Sequence, residues 1–468
     1  MEHSFGEILR EHRNKYPLME PQDYGKLIFQ SVFGPEHMVA NRQMVWEYMV
    51  EEFSGMAQDA LPRVPEDIGN GLCRFPLCAC SSMEAAELLT DLFVLTAKEG
   101  GGTSAEEKSR LLEELRDKLE QVKALGIPGM EAWVQQWREK GYPAVHHSKV
   151  YNEAYHPHYR LLRKEYAIYF PVLWEIYKLI MKDNDCKVQE QKVVSGQEQE
   201  KASDRKQDTV SEQEQETASG RKQDTVSGQE QEKVSGQEQE KVSGRKQDTV
   251  SGPEQETESG QEQETESGWK QGTVSCREQD ERQEKQYKRP IIIGIDGRCG
   301  SGKTSLAKLI AGIFPCNVIH MDDFYLPMGE RAENWTEVPG GNMNFARLRS
   351  EILIPAQSGE EVFYRPYHCQ EGVYGEALQL APCQLVIVEG SYSHHPLLAD
   401  AYHLKVFLTC SKEVQTKRLQ EREGSYFNMF EKRWIPMEEN YFQHFHVEAG
   451  SDLVVETDEI MLGKMTSL

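Results

Sequence analysis

The sequence predicts an α/β fold for the C-terminal third of the chain, a parallel five-stranded sheet flanked by helices. A mainly α-helical N-terminal domain and a disordered linker of octapeptide repeats precede it. Three observations carry this reading: doubly apolar runs alternating with amphipathic segments after residue 287, leucines at helical spacing in the first 182 residues, and an eight-residue repeat between the two.

The candidate strands are IIIGID at 291–296, NVIHM at 317–321, LVIVEG at 385–390, LKVFLT at 404–409 and DLVVET at 452–457. Runs apolar on both faces suit a parallel sheet covered on each side, and strands that alternate with helices define a layered α/β domain over 289–468. In the N-terminal segment, 1–182, EEKSRLLEELRDKLEQVKAL at 106–125 places leucines at helical spacing among charges. The aromatic-rich stretch 149–179 repeats the trend, with Pro157 starting or interrupting a helix.

Between them, 183–288 is of low complexity, and eleven gapless octapeptides run from VSGQEQEK at Val194 to VSCREQDE at Val274. Each copy offers too little apolar surface to offset the entropy of ordering eight residues. A solenoid would need a periodic apolar face, which the repeat lacks. The expectation is a disordered spacer whose ends lie several nanometres apart on average, leaving the flanking segments to act independently.

A net charge of -24 without clustered Lys and Arg excludes a nucleic-acid-binding surface. No run of 18 apolar residues occurs, and the N-terminus has no basic, apolar leader. The ten cysteines are scattered, and Cys73, Cys78 and Cys80 lack zinc-site spacing. A cytoplasmic protein with reduced thiols and no membrane or nucleic-acid partner is expected; the oligomeric state is left open.

GRCGSGKT satisfies G-x-x-x-x-G-K-[ST] and sits between IIIGID and SLAKLIAGIF, where the motif's mechanics require it. Gly297, Arg298, Cys299, Gly300, Ser301, Gly302, Lys303, Thr304 and Ser305 are therefore the expected ATP-binding residues. Backbone N–H groups curl round the phosphates at a helix N-terminus, Lys303 reaches the β- and γ-phosphates, and Thr304 offers its hydroxyl to Mg²⁺. A non-catalytic P-loop is the rival reading.

Glu389 ends its strand on the same sheet edge and is a candidate second metal-site residue, although a strand-end glutamate is also a common solvent-facing residue. Asp322 and Asp323 end another strand there, and a carboxylate near the γ-phosphate can orient an acceptor hydroxyl and take its proton. In SKEVQTKRLQEREG, Arg418 and Arg422 are four apart and share a helix face. They are candidate lid cations, with a merely solvated basic helix as the alternative.

Together GIDGRCGSGKTSLA, MDDFYLP, YRPY and IVEGSY resemble the uridine kinase family, within the wider group that includes phosphoribulokinase and pantothenate kinase. More narrowly, 290–456, about a third of the chain, is similar to bacterial uridine kinase-like proteins. The resemblance implies Asp322 as catalytic base, Asp323 where the family has serine, Tyr325 against a nucleoside, Glu389 at the metal and Arg418 and Arg422 in the lid. Tyr364 matches the tyrosine of the family's Tyr-Asp-x-x-Thr-His motif, His368 aligns only loosely, and Arg365 is an added cation. Asn344 stands where related proteins often have an aspartate holding a sugar hydroxyl.

The expected activity is ATP- and Mg²⁺-dependent transfer of the γ-phosphate to a small-molecule hydroxyl, most simply that of a nucleoside such as uridine. The departures at His368 and Asn344 motivate an alternative: a nucleotide-binding regulatory module with little turnover that switches the N-terminal domain. A scaffold organised by the repeat is a third possibility. The N-terminal segment resembles an uncharacterised bacterial domain, from which no activity carries over. Its dense His37, His146, His147, Tyr151, Tyr155, His156, His158, Tyr159 and Arg160 suit either an anion or nucleotide site or a half-buried structural face.

Overall fold

The computed structural model describes residues 4–57, 59–99, 104–186 and 289–459. The octapeptide tract lies outside them.

The N-terminal segment is mainly helical. Its helices begin as their sequences dictate: Ser4 caps Phe5–Lys15 in a reciprocal box with Glu7, Asn41 caps Arg42–Ser54, and Ser104 caps Ala105–Lys123. The helices pack around a small antiparallel sheet ordered β1 (Glu66–Gly69), β2 (Leu72–Pro76) and β3 (Tyr159–Arg163). Strand β3 falls inside the stretch whose composition suggests helix. His156 takes a left-handed conformation, φ 43°, ending Lys149–Tyr155 before Pro157, and the released chain then pairs with β2 from Tyr159↔Pro76 to Arg163↔Leu72. Helix resumes over 164–186.

In the C-terminal segment the strands are β4 (Ile291–Gly297), β5 (Cys316–His320), β6 (Val362–Tyr364), β7 (Tyr367–His368), β8 (Val373–Tyr374), β9 (Leu378–Leu380), β10 (Leu385–Glu389), β11 (Leu404–Thr409) and β12 (Leu453–Glu456). Five of them form a parallel sheet in the order β12-β11-β4-β10-β5, while β6–β9 and β7–β8 are antiparallel pairs. The five strands coincide with the five apolar runs of the sequence to within one or two residues.

Side chains alternate faces along each strand, so the sheet feeds two cores. Ile291, Ile293 and Ile295 of β4 join Leu306, Leu309 and Ile310 of the helix Lys303–Ile313 on one face. Ile292 turns to the other, with Val386, Val388, Phe407 and Phe442.

The first of these cores is continuous with that of the N-terminal segment: Tyr166, Phe170 and Leu173 of helix 164–186 belong to it. At this junction the Tyr169 hydroxyl donates to the Gly302 carbonyl at 3.5 Å, and the Tyr177 and Phe314 rings lie 6.4 Å apart. The segments expected to act independently therefore share a core.

The ends of the tract lie outside the described residues, but the described residues on either side of it meet at one side chain. Gln384 donates its side-chain amide to Asp183 (3.0 Å) and Asn184 (2.8 Å), and its carbonyl accepts from the Ile291 N–H (2.8 Å). One residue thus holds both 183–184 and 291.

Candidate active site

Parallel pairing aligns the strand ends. Glu389 of β10 is in register with Ile295 of β4 and with His320 of β5, which brings the P-loop, the Asp322–Asp323 pair and Glu389 to one edge.

At the end of β4, Gly297 has φ 139°, and a Cβ there would meet the Leu408 carbonyl oxygen at 2.0 Å, so only glycine fits. Gly300 and Gly302 are also left-handed, at φ 77° and 99°, and the helix Lys303–Ile313 starts directly after them. Buried Asp296 sets the turn: its carboxylate accepts from the N–H groups of Gly297 (2.7 Å) and His394 (2.9 Å) and from the Tyr441 hydroxyl (2.8 Å).

Lys303 folds back over the loop, its Nζ donating to the carbonyls of Gly297 (2.7 Å) and Arg298 (3.1 Å). The Arg298 side chain points away, to Glu439, Glu448 and Thr409, so this residue can offer the loop its backbone alone. The Cys299 N–H donates to Glu438 at 3.0 Å, Ser301 is wholly buried with its hydroxyl unpartnered among the described residues, and Ser305 lies in the first turn of the helix.

The Thr304 hydroxyl donates to Glu389 Oε1 at 3.1 Å, and His320 Nδ1 lies 2.6 Å from the same oxygen. Burial opposes charge on His320, but the hydrogen bond and charge of Glu389, together with Asp323 and Asp322, outweigh it and raise its pKa. A hydroxyl and a carboxylate beside a phosphate-binding loop are hard oxygen donors of the kind Mg²⁺ takes in small number, so Thr304 and Glu389 fit that ion.

Asp322 keeps a face open to solvent while protein crowds its other sides. Desolvation, then the charge of Glu389, push its pKa above the ordinary carboxylate value, against the opposing pull of His320, Lys303 and the Tyr325 hydroxyl. Asp323 is turned inward, 8% exposed, and accepts from the buried Tyr364 hydroxyl at 3.2 Å. These two expected substrate contacts thus bind each other.

Three more expected contacts are committed to the fold or its surface. Asn344 caps the helix Phe345–Leu348, accepting from the Arg347 N–H at 3.0 Å. Arg365 donates to the carbonyls of Gly375 (2.8 Å) and Tyr374 (3.1 Å), bracing the β7–β8 hairpin, on which His368 is exposed. Replacing Asn344 with alanine is expected to cost about 1 kcal/mol of stability, the usual loss for a helix N-cap, measurable by urea unfolding.

The two arginines of the helix Lys412–Glu423 divide their work. Arg418 donates to the Gly300 carbonyl (3.1 Å) and to Thr457, bracing the P-loop, whereas Arg422 is exposed, pairs with Glu423 and lies 5.7 Å from the Phe430 ring.

Several residues that the sequence did not single out belong to the site. His320 stands two residues before Asp322, a signal the sequence offers, but Asp296 reads only as the last residue of an apolar run. Glu438 is 139 positions from the amide it accepts, and its carboxyl also accepts from Ser391 Oγ; burial raises its pKa. Asn342 is fully buried with neither amide atom partnered among the described residues, two residues before the asparagine the motif suggested.

Of the candidate residues of the N-terminal segment, His147, Tyr151, His158, Tyr159 and Arg160 are tied into internal networks, while His146 is exposed. His147 Nδ1 lies 3.0 Å from Asp23 and its Nε2 2.8 Å from the Tyr159 hydroxyl, while its ring stacks on Tyr151 at 4.1 Å. His158 and Arg160 both bond to Glu52, at 2.8 and 2.7 Å.

No family model matches the chain. It is 24% identical over 188 residues to the nicotinamide riboside kinase of Saccharomyces cerevisiae, a match covering 35% of this chain and 76% of that one. It is 26% identical over 146 residues to the uridine kinase of Bacillus thuringiensis, covering 29% and 68%. The C-terminal segment resembles the uridine kinase-like P-loop kinases. Among solved structures, a possible uridine kinase from Bacillus stearothermophilus shares 18% identity at a TM-score of 0.29, covering 36% of this chain and 89% of that one. D-glycerate 3-kinase from Cryptococcus neoformans shares 14% at 0.29, covering 37% and 89%. Among the described residues, no helix is long and apolar enough to cross a membrane.

Proposed function

We propose that this kinase-like segment transfers the γ-phosphoryl group of ATP to a hydroxyl of a small molecule, with a nucleoside such as uridine as the first acceptor to test. The observation that carries this is the convergence at one sheet edge of the P-loop, the Thr304–Glu389 oxygen pair and a solvent-facing carboxylate, Asp322. Phosphoryl transfer asks little covalent chemistry of a protein; it asks for positioning and charge neutralisation. The loop amides and Lys303 hold the donor phosphates, Arg422, exposed and paired with its neighbour Glu423, is a lid cation for their charge, and Asp322 orients the acceptor hydroxyl and takes its proton. Mg²⁺, when held by Thr304 and Glu389, neutralises charge on the phosphate oxygens.

The test is to incubate the full chain with Mg-ATP and, separately, uridine, nicotinamide riboside and D-glycerate, and to follow ADP and phosphorylated product by chromatography and mass spectrometry. One acceptor giving product in step with ADP is the expected result. ATP binding without ADP release across the panel would favour the second reading, a nucleotide-responsive module that acts on the N-terminal segment. The motive for that reading is the Tyr169–Gly302 contact, which joins the N-terminal helix to the residue preceding Lys303.

A further inference from the structure

Beyond Glu389 the chain enters a tight turn, Gly390-Ser391-Tyr392-Ser393, closed by the Ser393 N–H donating to the Gly390 carbonyl at 3.2 Å. Tyr392 sits in it at φ 75°, in the left-handed region that a bulky L-residue rarely occupies. Strained backbone of this kind persists where the surroundings hold it, and it clusters at ligand sites. The side chain is only 2% exposed, with its ring 4.9 Å from that of Tyr441, yet its hydroxyl has no hydrogen-bond partner among the described residues. A buried phenol normally finds a partner, and one without it carries the full desolvation cost of the group.

The position of the turn suggests what the missing partner is. Glu389 holds Thr304, and Ser391 bonds to Glu438, which holds the Cys299 amide, so the residues flanking Tyr392 line the phosphate loop. The start of the turn packs against the residue before Asp322: a Cβ on Gly390 would meet Met321 Cβ at 2.6 Å. The turn that carries Tyr392 thus lies between the donor loop and the strand end that carries Asp322.

We propose that Tyr392 is an acceptor-positioning residue whose buried hydroxyl completes its hydrogen bonding on the substrate beside Asp322. The inference rests on the kinase reading above and adds a substrate class to it. With Asp322 and Glu438 both close by, a neutral hydroxyl or amide of an uncharged, polyhydroxylated acceptor fits, whereas an anionic group would be repelled.

The test compares Tyr392→Phe with the wild-type full chain, with Tyr402→Phe as control. Tyr402 also has a buried, unpartnered hydroxyl, but it lies against Gly294 and His394, away from the cleft. Thermal melting without ligand and steady-state kinetics on the acceptor panel are measured for each. For Tyr392→Phe the expected result is a Tm equal to or above wild type, kcat/KM for uridine lower by about three- to ten-fold as for loss of one uncharged hydrogen bond, and an unchanged KM for ATP. Tyr402→Phe should leave the kinetics unchanged, and D-glycerate should be a poorer acceptor than uridine. Unchanged acceptor kinetics in Tyr392→Phe, a change confined to ATP, a lowered Tm with both substrates affected alike, or a preference for D-glycerate would each overturn the assignment. If the wild-type protein turns over no acceptor, the kinase reading itself fails and takes this inference with it, an outcome distinct from a silent Tyr392→Phe.

Discussion

Lys303→Ala lowers turnover of the phosphorylated acceptor by on the order of 10²–10³, the scale on which removing one preorganised electrostatic group acts in other active sites. The geometry makes this residue hard to replace. Its ammonium rests on the carbonyls of Gly297 and Arg298, within the loop itself, and so stands ready to move onto phosphate oxygens. Arg298 cannot substitute, because its guanidinium is held by Glu439 and Glu448, and Arg418 is anchored to the loop's far side at Thr457. ADP release at saturating acceptor, with nucleotide binding measured separately, checks this. Retention of turnover to within a few-fold would remove Lys303 from the chemistry.

Asp322→Asn reduces kcat by about 10²–10⁴ if the carboxylate accepts the hydroxyl proton, while leaving the KM for ATP near its wild-type value. The pH dependence adds an independent check. Because desolvation and the charge of Glu389 raise the Asp322 pKa, the acidic limb of kcat/KM should lie above the usual aspartate range, activity appearing as pH rises through that value. Stability should move the other way. A carboxyl whose pKa is raised on folding binds its proton more tightly in the native state, so its charged form disfavours folding at neutral pH. Asparagine removes that penalty, and Asp322→Asn should melt above wild type near pH 7. The advantage should shrink as pH falls through the raised value towards the ordinary one near 3.8, below which both states are protonated. A variant that kept full turnover, or an acidic limb that survived the substitution, would exclude Asp322 as the base.

How far the site could be read from sequence depends on whether its parts are local. The loop from Gly297 to Thr304 is contiguous, and each of its glycines answers to a backbone demand, so its eight residues suffice. Asp322 and Glu389 were legible for a different reason: a parallel sheet gathers its strand ends on one edge, so apolar runs that end in acids announce their meeting. Glu438 carries no such signal, since it reaches the loop from a helix whose sequence gives no sign of the approach. Asn344 and Asn342 differ in sequence only by two positions. Backbone geometry alone decides that the first caps a helix while the second buries an unpaired amide. Likewise Tyr159–Arg163 has helical neighbours on both sides and becomes a strand only because Leu72–Pro76, far away in the chain, offers a free edge.

Gln384, which holds both Asp183–Asn184 and Ile291, changes what the repeat can mean. With Asp183–Asn184 and Ile291 held at one side chain, the distance between the flanking segments does not depend on how many residues separate them in sequence. The entropy of closing such a loop grows only with the logarithm of its length, each doubling adding about 0.6 kcal/mol. Whole octapeptides can then be gained or lost by duplication and slippage with almost no thermodynamic consequence for the kinase-like sheet.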